Sequence, residues 1–513
     1  MPYDDDESDL FKDDQNDMEI DSDKPDEKDT IDAYMAPDEE YEDDEEDEYN
    51  EQLPSEPVVD TLPDSPHPVA NGQIRDSSIL SGTYKTRHPS VMDPEIQSAI
   101  SYEMTPTTAF IHACPTYSMT ASWGTKFLFT GGEDGYIRRY SFPESVAGAH
   151  PLTIGQRPTF IDTIINGGMI KGYWENEQPL AQSEYVFDSQ GMYLPKLSAV
   201  QSLAVHSEAL WILSGLRSGG INLQTARHAE GTTLHYFDLH KSTVSELALS
   251  ADEQHFLSGS WDKTVAYWDL NTGDAIHHYT QINGQVSTIE YQPLGGPICS
   301  ANDNQSIDSL FGDEDDEPSQ DGGNSEIKSI QDGQQNGVND SGSVFMTSTI
   351  NGAVEVWDVR TTACSLQCVG SSSPPWCVSA CWNVDGSKIY AGRRNNCVEE
   401  YDIRKASTPS RSLKFPTSSG AVTSLKAMPN GKSLLCASND NLRLQDLGAT
   451  EKKVSFYIIP SHHGVVIGRM LLDPTGRYLL TASGGRGWLD GPTSDLILCY
   501  DVKAIDNRDD PIG

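Results

Sequence analysis

One short pattern recurs seven times along the chain and strongly limits what the chain can fold into. Each copy has an apolar run, one or two Gly or Ser residues, a polar turn, and a segment of alternating apolar and polar residues that ends in an aromatic residue or Gln. The clearest copy, HFLSGSWDKTVAYWDL, ends at Trp268-Asp269. The seven end positions are Tyr140, Gln224, Trp268, Trp357, Tyr401, Gln445 and Tyr500. Three of the six spacings between them are 44 residues, and the others exceed 44 by 40, 45 and 11.

This spacing predicts the fold. A repeat of about 40–45 residues with a Trp-Asp signature is typical of a WD-repeat blade, which is a sheet of four strands. Seven such blades close into a ring that protects most of the sheet edges. The pattern therefore predicts an all-β, seven-bladed WD-repeat β-propeller over residues 101–513. The two largest excess lengths predict an aromatic-containing insertion at 143–199 and an acidic loop at 302–340.

The last repeat lacks a strand, because only 13 residues follow Tyr500. The apolar segment TTAFIHAC precedes the first repeat, and we expect residues 107–113 to supply the missing strand and close the ring.

Asp93 followed by Pro94 is a helix-start signal, since Asp caps a helix and Pro fits its first position. Residues 76–100 are therefore predicted to be a linker with a short helix.

The net charge of −43 is concentrated in two segments. Residues 1–51 hold 26 acidic residues and 3 Lys, and residues 302–340 hold 11 acidic residues and 1 Lys. Too little apolar surface is available there to offset chain entropy, which predicts a disordered acidic tail at 1–75 and a mobile loop at 302–340. Leu10 and Phe11 lie among the tail carboxylates, so the tail is either a solubilising segment or an acidic-hydrophobic binding segment.

Composition also limits the partners and the compartment. Direct nucleic-acid binding is not expected, because it requires clustered Lys and Arg, whereas an acidic chain favours basic protein partners. No apolar run is long enough to cross a membrane, and the acidic N-terminus differs from a secretory signal. Nine cysteines, an odd number, suggest free thiols in a reducing compartment. We expect the protein in the cytosol or nucleus.

Motifs with catalytic or metal-binding chemistry are weak. The cysteines at 364, 368, 377 and 381 form two Cys-x3-Cys pairs, whereas structural zinc usually prefers Cys-x2-Cys turns, so we interpret them as core residues. His462 and His463 are adjacent, and on a strand such residues point to opposite faces. The Gly-rich segment 483–491 lies between strands and lacks the helix start of a phosphate site. We therefore expect no enzyme activity, no metal and no cofactor.

Two alternative functions remain open at this point. The sequence Trp357-Asp358-Val359-Arg360 resembles the Trp-Asp-x-Arg feature of propeller receptors for cullin-type ubiquitin ligases, although the same residues are common in WD repeats. A histone-binding propeller is the other alternative, because an acidic tail also suits basic histones.

The turns between the second and third strands of the blades should gather on one face of the ring. They carry Arg and Trp, the residue types most often found as interface hot spots. The candidate partner-binding residues are Arg217, Trp261, Arg393, Arg394, Arg486 and Trp488, together with Leu10 and Phe11 in the tail.

Taken together, the chain resembles the fungal WD-repeat subunit of the SAGA transcriptional coactivator that interacts with the TATA-binding protein. The resemblance rests on KFLFTGGEDGYIRRY, NGGMIKGYWENEQPL, ALWILSGLRSGGINLQTARHAEGT and LTASGGRGWLDGPTSDLILCYDV, and on the two acidic segments. It implies a non-enzymatic nuclear subunit that, with a histone-fold subunit of the same complex, holds the TATA-binding protein and governs its delivery to promoters. It identifies no individual contact residue.

Overall fold

The structure is a computed structural model. It describes residues 91–297, 342–368, 375–448, 456–462, 464–489 and 491–506. The predicted tail at 1–75 and the predicted loop at 302–340 lie outside these residues. Within them most secondary structure is β-strand, and the α-helices are α1 (Pro94–Ser98) and α2 (Phe142–Val146).

The strands of the described residues are numbered in chain order. The first half of the chain holds β1 (Ser101–Ile111), β2 (Thr116–Ala121), β3 (Phe127–Gly132), β4 (Tyr136–Ser141), β5 (Asn166–Gly167), β6 (Met169–Glu175), β7 (Val186–Phe187), β8 (Tyr193–Leu194), β9 (Leu203–Val205), β10 (Trp211–Gly215), β11 (Gly220–Thr225), β12 (Thr233–Asp238), β13 (Val244–Leu249), β14 (His255–Ser260), β15 (Val265–Asp269) and β16 (Ala275–Tyr279). The second half holds β17 (Val286–Tyr291), β18 (Val344–Thr349), β19 (Val354–Asp358), β20 (Cys364–Cys368), β21 (Cys377–Trp382), β22 (Lys388–Arg393), β23 (Cys397–Asp402), β24 (Arg411–Lys414), β25 (Val422–Ala427), β26 (Ser433–Ser438), β27 (Leu442–Asp446), β28 (Phe456–Ile459), β29 (Ile467–Leu472), β30 (Tyr478–Ser483) and β31 (Leu496–Ile505).

Apart from β5, β7 and β8, these strands form seven antiparallel blades of four strands each. Read from the innermost to the outermost strand, they are β2-β3-β4-β6, β9-β10-β11-β12, β13-β14-β15-β16, β17-β18-β19-β20, β21-β22-β23-β24, β25-β26-β27-β28 and β29-β30-β31-β1, which we call blades 1 to 7. The innermost strands of successive blades contact each other, and β29 contacts β2, so the ring is closed. The predicted seven-bladed propeller is confirmed, and the seven repeat ends all lie on third strands.

The N-terminal strand closes the ring as predicted. β1 pairs antiparallel with β31 along its whole length, from Ser101 opposite Ile505 to Ile111 opposite Leu496. The strand begins at residue 101, earlier than the predicted residue 107, because β31 itself continues to residue 505. The predicted helix start is also present, since the Asp93 side chain accepts a hydrogen bond from the backbone N–H of Glu95.

The segment 143–199 contains a blade strand that the sequence interpretation missed. β6 lies within it, pairs with β4 and forms the outermost strand of blade 1. The short strand β5 adds to the outer edge of blade 7, parallel to β1. Part of the predicted insertion is therefore core architecture, and only the remainder is additional to the blade.

The Trp of the Trp-Asp signature belongs to a hydrogen-bond network in blade 3. The Trp268 indole N–H donates to Ser258 Oγ at 2.8 Å, and His240 Nε2 lies 2.7 Å from the same oxygen. His240 Nδ1 lies 3.5 Å from a carboxylate oxygen of Asp262. Burial acts to raise the pKa of Asp262, but hydrogen bonds from His240 and Thr264 outweigh it and lower that pKa. The network joins β14 and β15 to the turn between them and to the connection that precedes β13.

Hydroxyl groups on or next to innermost strands link several neighbouring blades. Ser202 Oγ donates to Val244 O at 2.9 Å, and Ser245 Oγ donates to Val286 O at 2.6 Å. Thr423 Oγ1 makes the same kind of bond across the junction of blades 6 and 7. Each bond satisfies a buried carbonyl at the start of the next blade, so it fixes the position of one blade against another.

The cysteines in the two Cys-x3-Cys pairs pack as predicted. Cys377 and Cys381 are buried on β21, and Cys368 on β20 packs in the same apolar cluster as Cys377. All eight cysteines of the described residues are free thiols. Burial raises the pKa of the Cys377 and Cys381 thiols, which disfavours the reactive thiolate. The packing interpretation of these residues is confirmed.

Candidate docking face

The turns between second and third strands lie on one face of the ring, because the innermost strands of all blades run in the same direction. We call this the top face. Its turns are at 133–135, 216–219, 261–264, 350–353, 394–396 and 439–441, with the longer β30–β31 connection in blade 7. The connections from each outermost strand to the next blade also lie there.

One loop on the top face crosses the ring. Residues 484–489 leave β30 in blade 7 and contact blade 3, which is not a neighbour of blade 7. The loop is tight, since the backbone N–H groups of Trp488 and Leu489 both donate to Gly485 O. Arg486 and Gly487 have φ values of 53° and 78°, in the left-handed region that Gly adopts without strain. We call residues 484–489 the cross-ring loop.

Arg486 anchors the cross-ring loop inside the ring. Its guanidinium donates to Glu246 Oε1 at 2.7 Å and to Ser245 O at 3.0 Å, both on the innermost strand of blade 3. Arg469, on the innermost strand of blade 7, also pairs with Glu246 at 2.9 Å. Burial lowers the pKa of Arg486 to about 10, and the charge of Arg469 adds to this effect. One buried carboxylate thus holds two arginines.

A pair of tryptophans covers this anchor. The rings of Trp261 and Trp488 lie 4.5 Å apart between centroids, with their planes tilted by 53°. A Cβ atom on Gly487 would lie 3.0 Å from the Trp261 ring, so the loop passes directly against it. Both tryptophans are half-buried, and neither indole N–H has a hydrogen-bond partner among the described residues.

Below the cross-ring loop the central channel is polar and narrow. A cavity of about 140 Å³ lies among the innermost strands, next to Arg486 and Arg469. Glu290 and Lys426 form a further ion pair on its wall at 3.2 Å. The acidic and basic side chains on the wall are paired with each other, so the channel resembles an internal salt-bridge network more than an open reaction site.

Two of the predicted contact residues are not on the surface. Arg393 is completely buried, and its guanidinium donates to Glu399 at 2.7 Å, to Tyr401 Oη at 2.9 Å and to Gly352 O in blade 4 at 2.6 Å. Arg486 is buried as described above. The prediction that these two arginines contact a partner directly is therefore corrected, because their charged groups are enclosed and paired within the propeller.

The other predicted residues of the propeller do reach the top face. Arg217 and Arg394 are exposed, and Trp261 and Trp488 are half-buried. The Arg394 guanidinium lies over the exposed Trp376 ring at 4.4 Å from its centroid, an arrangement that holds both side chains in place. Leu10 and Phe11 lie outside the described residues.

A projecting element of the top face was not among the predicted site residues. Residues 176–198 leave β6 and return to β9, and we call them the aromatic arm. Tyr185, Phe187 and Tyr193 lie on it, and all three are exposed. The available signal was the unusual number of aromatic residues in 143–199, which indicated packing but did not show that these rings face solvent.

The described residues contain no group of three or more His, Cys, Asp or Glu side chains arranged to hold a metal ion. His462 is buried and bonded to Ser494 Oγ and Thr481 Oγ1, a structural role in blade 7, while His463 lies outside the described residues. No helix in the described part of the chain is long and apolar enough to cross a membrane.

The closed ring and the Trp-Ser-His-Asp network define a WD-repeat β-propeller with a candidate protein-docking face. The profile of the family described as SPT8 beta propeller matches residues 102–503, and the chain belongs to this family. The resemblance found in the sequence is thereby confirmed.

Named relatives agree with this assignment. SAGA complex subunit SPT8 of Saccharomyces cerevisiae is 43% identical over 444 residues, which cover 79% of this chain and 73% of the relative. SAGA complex subunit Spt8 of Schizosaccharomyces pombe is 38% identical over 441 residues, covering 79% and 80%. A local match, 48% identical over 40 residues, joins 8% of this chain to 13% of the small ribosomal subunit protein RACK1 of Schizosaccharomyces pombe.

Proposed function

We propose that this chain is a non-enzymatic subunit of the SAGA transcription coactivator complex, in the nucleus. In this proposal the propeller binds the TATA-binding protein and regulates its delivery to promoters in RNA polymerase II transcription. The observation that carries the proposal is the alignment of 79% of the chain with relatives named as SAGA complex subunits. Other SAGA subunits, including a histone-fold subunit, are the expected neighbours.

Trp261 and Trp488 are the proposed centre of the docking surface. Half-buried tryptophans offer a partner a large apolar area at little cost in side-chain entropy, and such residues often dominate binding energy. The buried Arg486–Glu246 pair holds Trp488 in position, so the surface is ordered before the partner arrives. Arg217 and the Arg394–Trp376 pair lie on the same face and extend the proposed contact area.

The acidic tail is proposed to act by charge. The TATA-binding protein meets DNA through a basic saddle that phosphates normally occupy. Residues 1–51, with 26 acidic residues and 3 Lys, would approach that saddle as a polyanion, and Leu10 and Phe11 would add apolar anchors. Exposed charges steer encounter over a Debye length of about 8–10 Å, so the tail should act mainly on the association rate.

The test measures binding of full-length protein to surface-attached TATA-binding protein at two salt concentrations. We expect Trp261→Ala or Trp488→Ala to speed dissociation by roughly ten-fold or more, the loss expected when a hot spot of about 2 kcal/mol is removed. Trp123→Ala is the matched control, because Trp123 is an exposed tryptophan in a turn on the opposite face. Deleting residues 1–51 should slow association and reduce its salt dependence.

Each outcome bears on a different part of the proposal. If the full-length protein does not bind, the TATA-binding protein is not a direct partner of this chain. If it binds and Trp123→Ala weakens binding as much as Trp261→Ala does, the top face is not the docking surface. Thermal unfolding of each variant separates loss of contact from loss of the folded loop.

A further inference from the structure

The aromatic arm is a rigidly anchored hairpin that projects from the top face. Its base is held by Asn176, which is fully buried and bonded to Ser198 O and to Ser214 Oγ. Above the base the two sides of the hairpin are joined by further backbone hydrogen bonding, with Gln178 N donating to Lys196 O at 2.8 Å. Strands β7 and β8 form the outer part of the arm. Blade 1 is already complete without the arm, since β6 supplies its fourth strand.

One side of the arm is an exposed aromatic cluster. The rings of Tyr185 and Tyr193 lie 5.0 Å apart between centroids, and the Phe187 ring lies 6.4 Å from that of Tyr193. The Tyr193 hydroxyl bonds to the Glu177 carboxylate, which orients the ring. Phe187 is 57% exposed to solvent. The cluster is therefore an ordered apolar surface that remains exposed to solvent.

The other side of the arm is an aliphatic groove. Its walls are Leu180, Val186, Leu194 and Pro195, with Glu184 and Lys196 at the rim, and its volume is about 560 Å³. Val186 and Leu194 face each other across the hairpin and are both about half exposed. The groove has room for the apolar side chains of a short peptide segment.

The contacts within such a hairpin stabilise it only weakly. A two-stranded hairpin is marginal in water, and ordinary exposed hairpins place polar side chains on at least one side. Here both sides are apolar, and contiguous exposed apolar surface usually marks an interaction site. The arm therefore has the composition of an element that is covered by something else.

Charge indicates the kind of occupant. The arm carries Glu177, Glu184 and Asp188 against Lys196 alone, so its net charge is negative. A nucleic acid or an anionic lipid surface would meet repulsion there, whereas a protein segment with a basic side chain near its apolar residues would be attracted. We propose that the aromatic arm docks a second protein through an apolar segment that places a Lys or Arg opposite Glu184. This site is separate from the one proposed at Trp261 and Trp488, and it does not depend on that proposal.

The first experiment asks what covers the arm in the native assembly. Photo-cross-linkable benzoylphenylalanine is placed at Phe187 in the full-length chain and, as a matched control, at Leu234, which is equally exposed on the outermost strand of blade 2. We expect position 187 alone to link to one apolar segment of another protein that contains a Lys or Arg. Links to phospholipid, to a second copy or to this chain's own tail, or the same products from both positions, would overturn the proposal.

The second experiment uses the linked segment as a synthetic peptide, titrated against the full-length chain by fluorescence anisotropy. We expect Val186→Glu to weaken binding by at least about ten-fold, the effect of losing about 1.4 kcal/mol at the groove. Glu184→Lys should weaken binding most at low salt, whereas Trp261→Ala should leave it unchanged. A peptide that does not bind, or that binds Val186→Glu as well as the unmodified chain, would also overturn the proposal. Because Val186 and Glu184 are exposed, neither substitution should alter the thermal unfolding midpoint.

Discussion

The indole rings of Trp261 and Trp488 meet at 4.5 Å between centroids although they belong to blades 3 and 7, which are not neighbours in the ring. With the Arg486–Glu246 pair beneath them, they form a clamp across the top face. The same residues thus contribute both to the stability of the ring and to its proposed docking surface. A variant of either tryptophan must be compared with the unmodified protein in stability as well as in binding.

The clamp predicts a stability cost for Arg486→Gln. Ser245 O and one oxygen of the buried Glu246 carboxylate lose their donor, while Arg469 still pairs with Glu246. We expect a loss of about 1–3 kcal/mol in the free energy of unfolding, typical of a broken buried hydrogen bond. Urea unfolding measures it. Arg394→Gln, at an exposed arginine on the same face, should change stability by less than about 0.5 kcal/mol. Equal losses of unfolding free energy in the two variants would mean that the clamp makes no specific contribution to the stability of the propeller.

The N-terminal strand predicts a sharp boundary for truncation. Deleting residues 1–75 removes none of the described structure and should leave the thermal unfolding midpoint unchanged. Deleting residues 1–116 removes β1, the outermost strand of blade 7, and should lower the midpoint strongly. Within β1, Phe110 is fully buried and meets the Tyr140 ring edge-on, so Phe110→Ala should cost about 3–5 kcal/mol. Equal midpoints for the two truncations would disprove closure by β1.

Two buried histidines predict a loss of stability in mild acid. Burial lowers the pKa of His462 from 6.5 to about 4, and burial together with the Arg138 charge lowers that of His112 to about 3. The unfolded chain therefore takes up protons below about pH 6.5 while the folded chain does not. The contribution of His462 is complete above that pH and declines as the pH falls from 6.5 to 4. For a fully buried group with this shift it is on the order of 3 kcal/mol.

The measurement is the free energy of unfolding between pH 7.5 and 4, compared with His462→Gln. The variant should be less stable at neutral pH and should lose less stability on acidification. His228→Gln, at an exposed histidine, controls for the removal of an imidazole. A parallel pH profile for His462→Gln and the unmodified protein would contradict this account.

The network in blade 3 predicts that Ser258 is more important than its counterpart in blade 4. Ser258 Oγ bonds to both Trp268 and His240, whereas Thr347 Oγ1 accepts the Trp357 indole N–H at 3.0 Å. Ser258→Ala leaves two buried polar groups without their partner and should cost about 1–3 kcal/mol. Thr347→Ala should cost less. Thermal unfolding of the two variants tests this order, and a larger loss for Thr347→Ala would reverse it.

The neighbouring residues Arg393 and Arg394 show where prediction from sequence stopped. Both lie at the turn between β22 and β23, and both were predicted to contact a partner. Arg393 ends strand β22 and points inward to Glu399, while Arg394 begins the turn and lies over Trp376 at the surface. Alternation along the strand points the two side chains to opposite sides. The inward-pointing Arg393 is buried only because Gly352 of blade 4 packs against blade 5.

The amino-acid sequence by itself determined the number of blades, the ends of their third strands, the closing strand and the family. These features are local or periodic, since each repeat must place the same residue types on the same strands to bury its own core. Only the tertiary structure decided the cross-ring loop, the burial of Arg486 and the exposure of the aromatic arm. Those depend on contacts between blades far apart in the chain, or on surfaces left uncovered once the ring has closed. A short sequence pattern records neither, because the partners of each residue are brought together by the ring and not by the repeat.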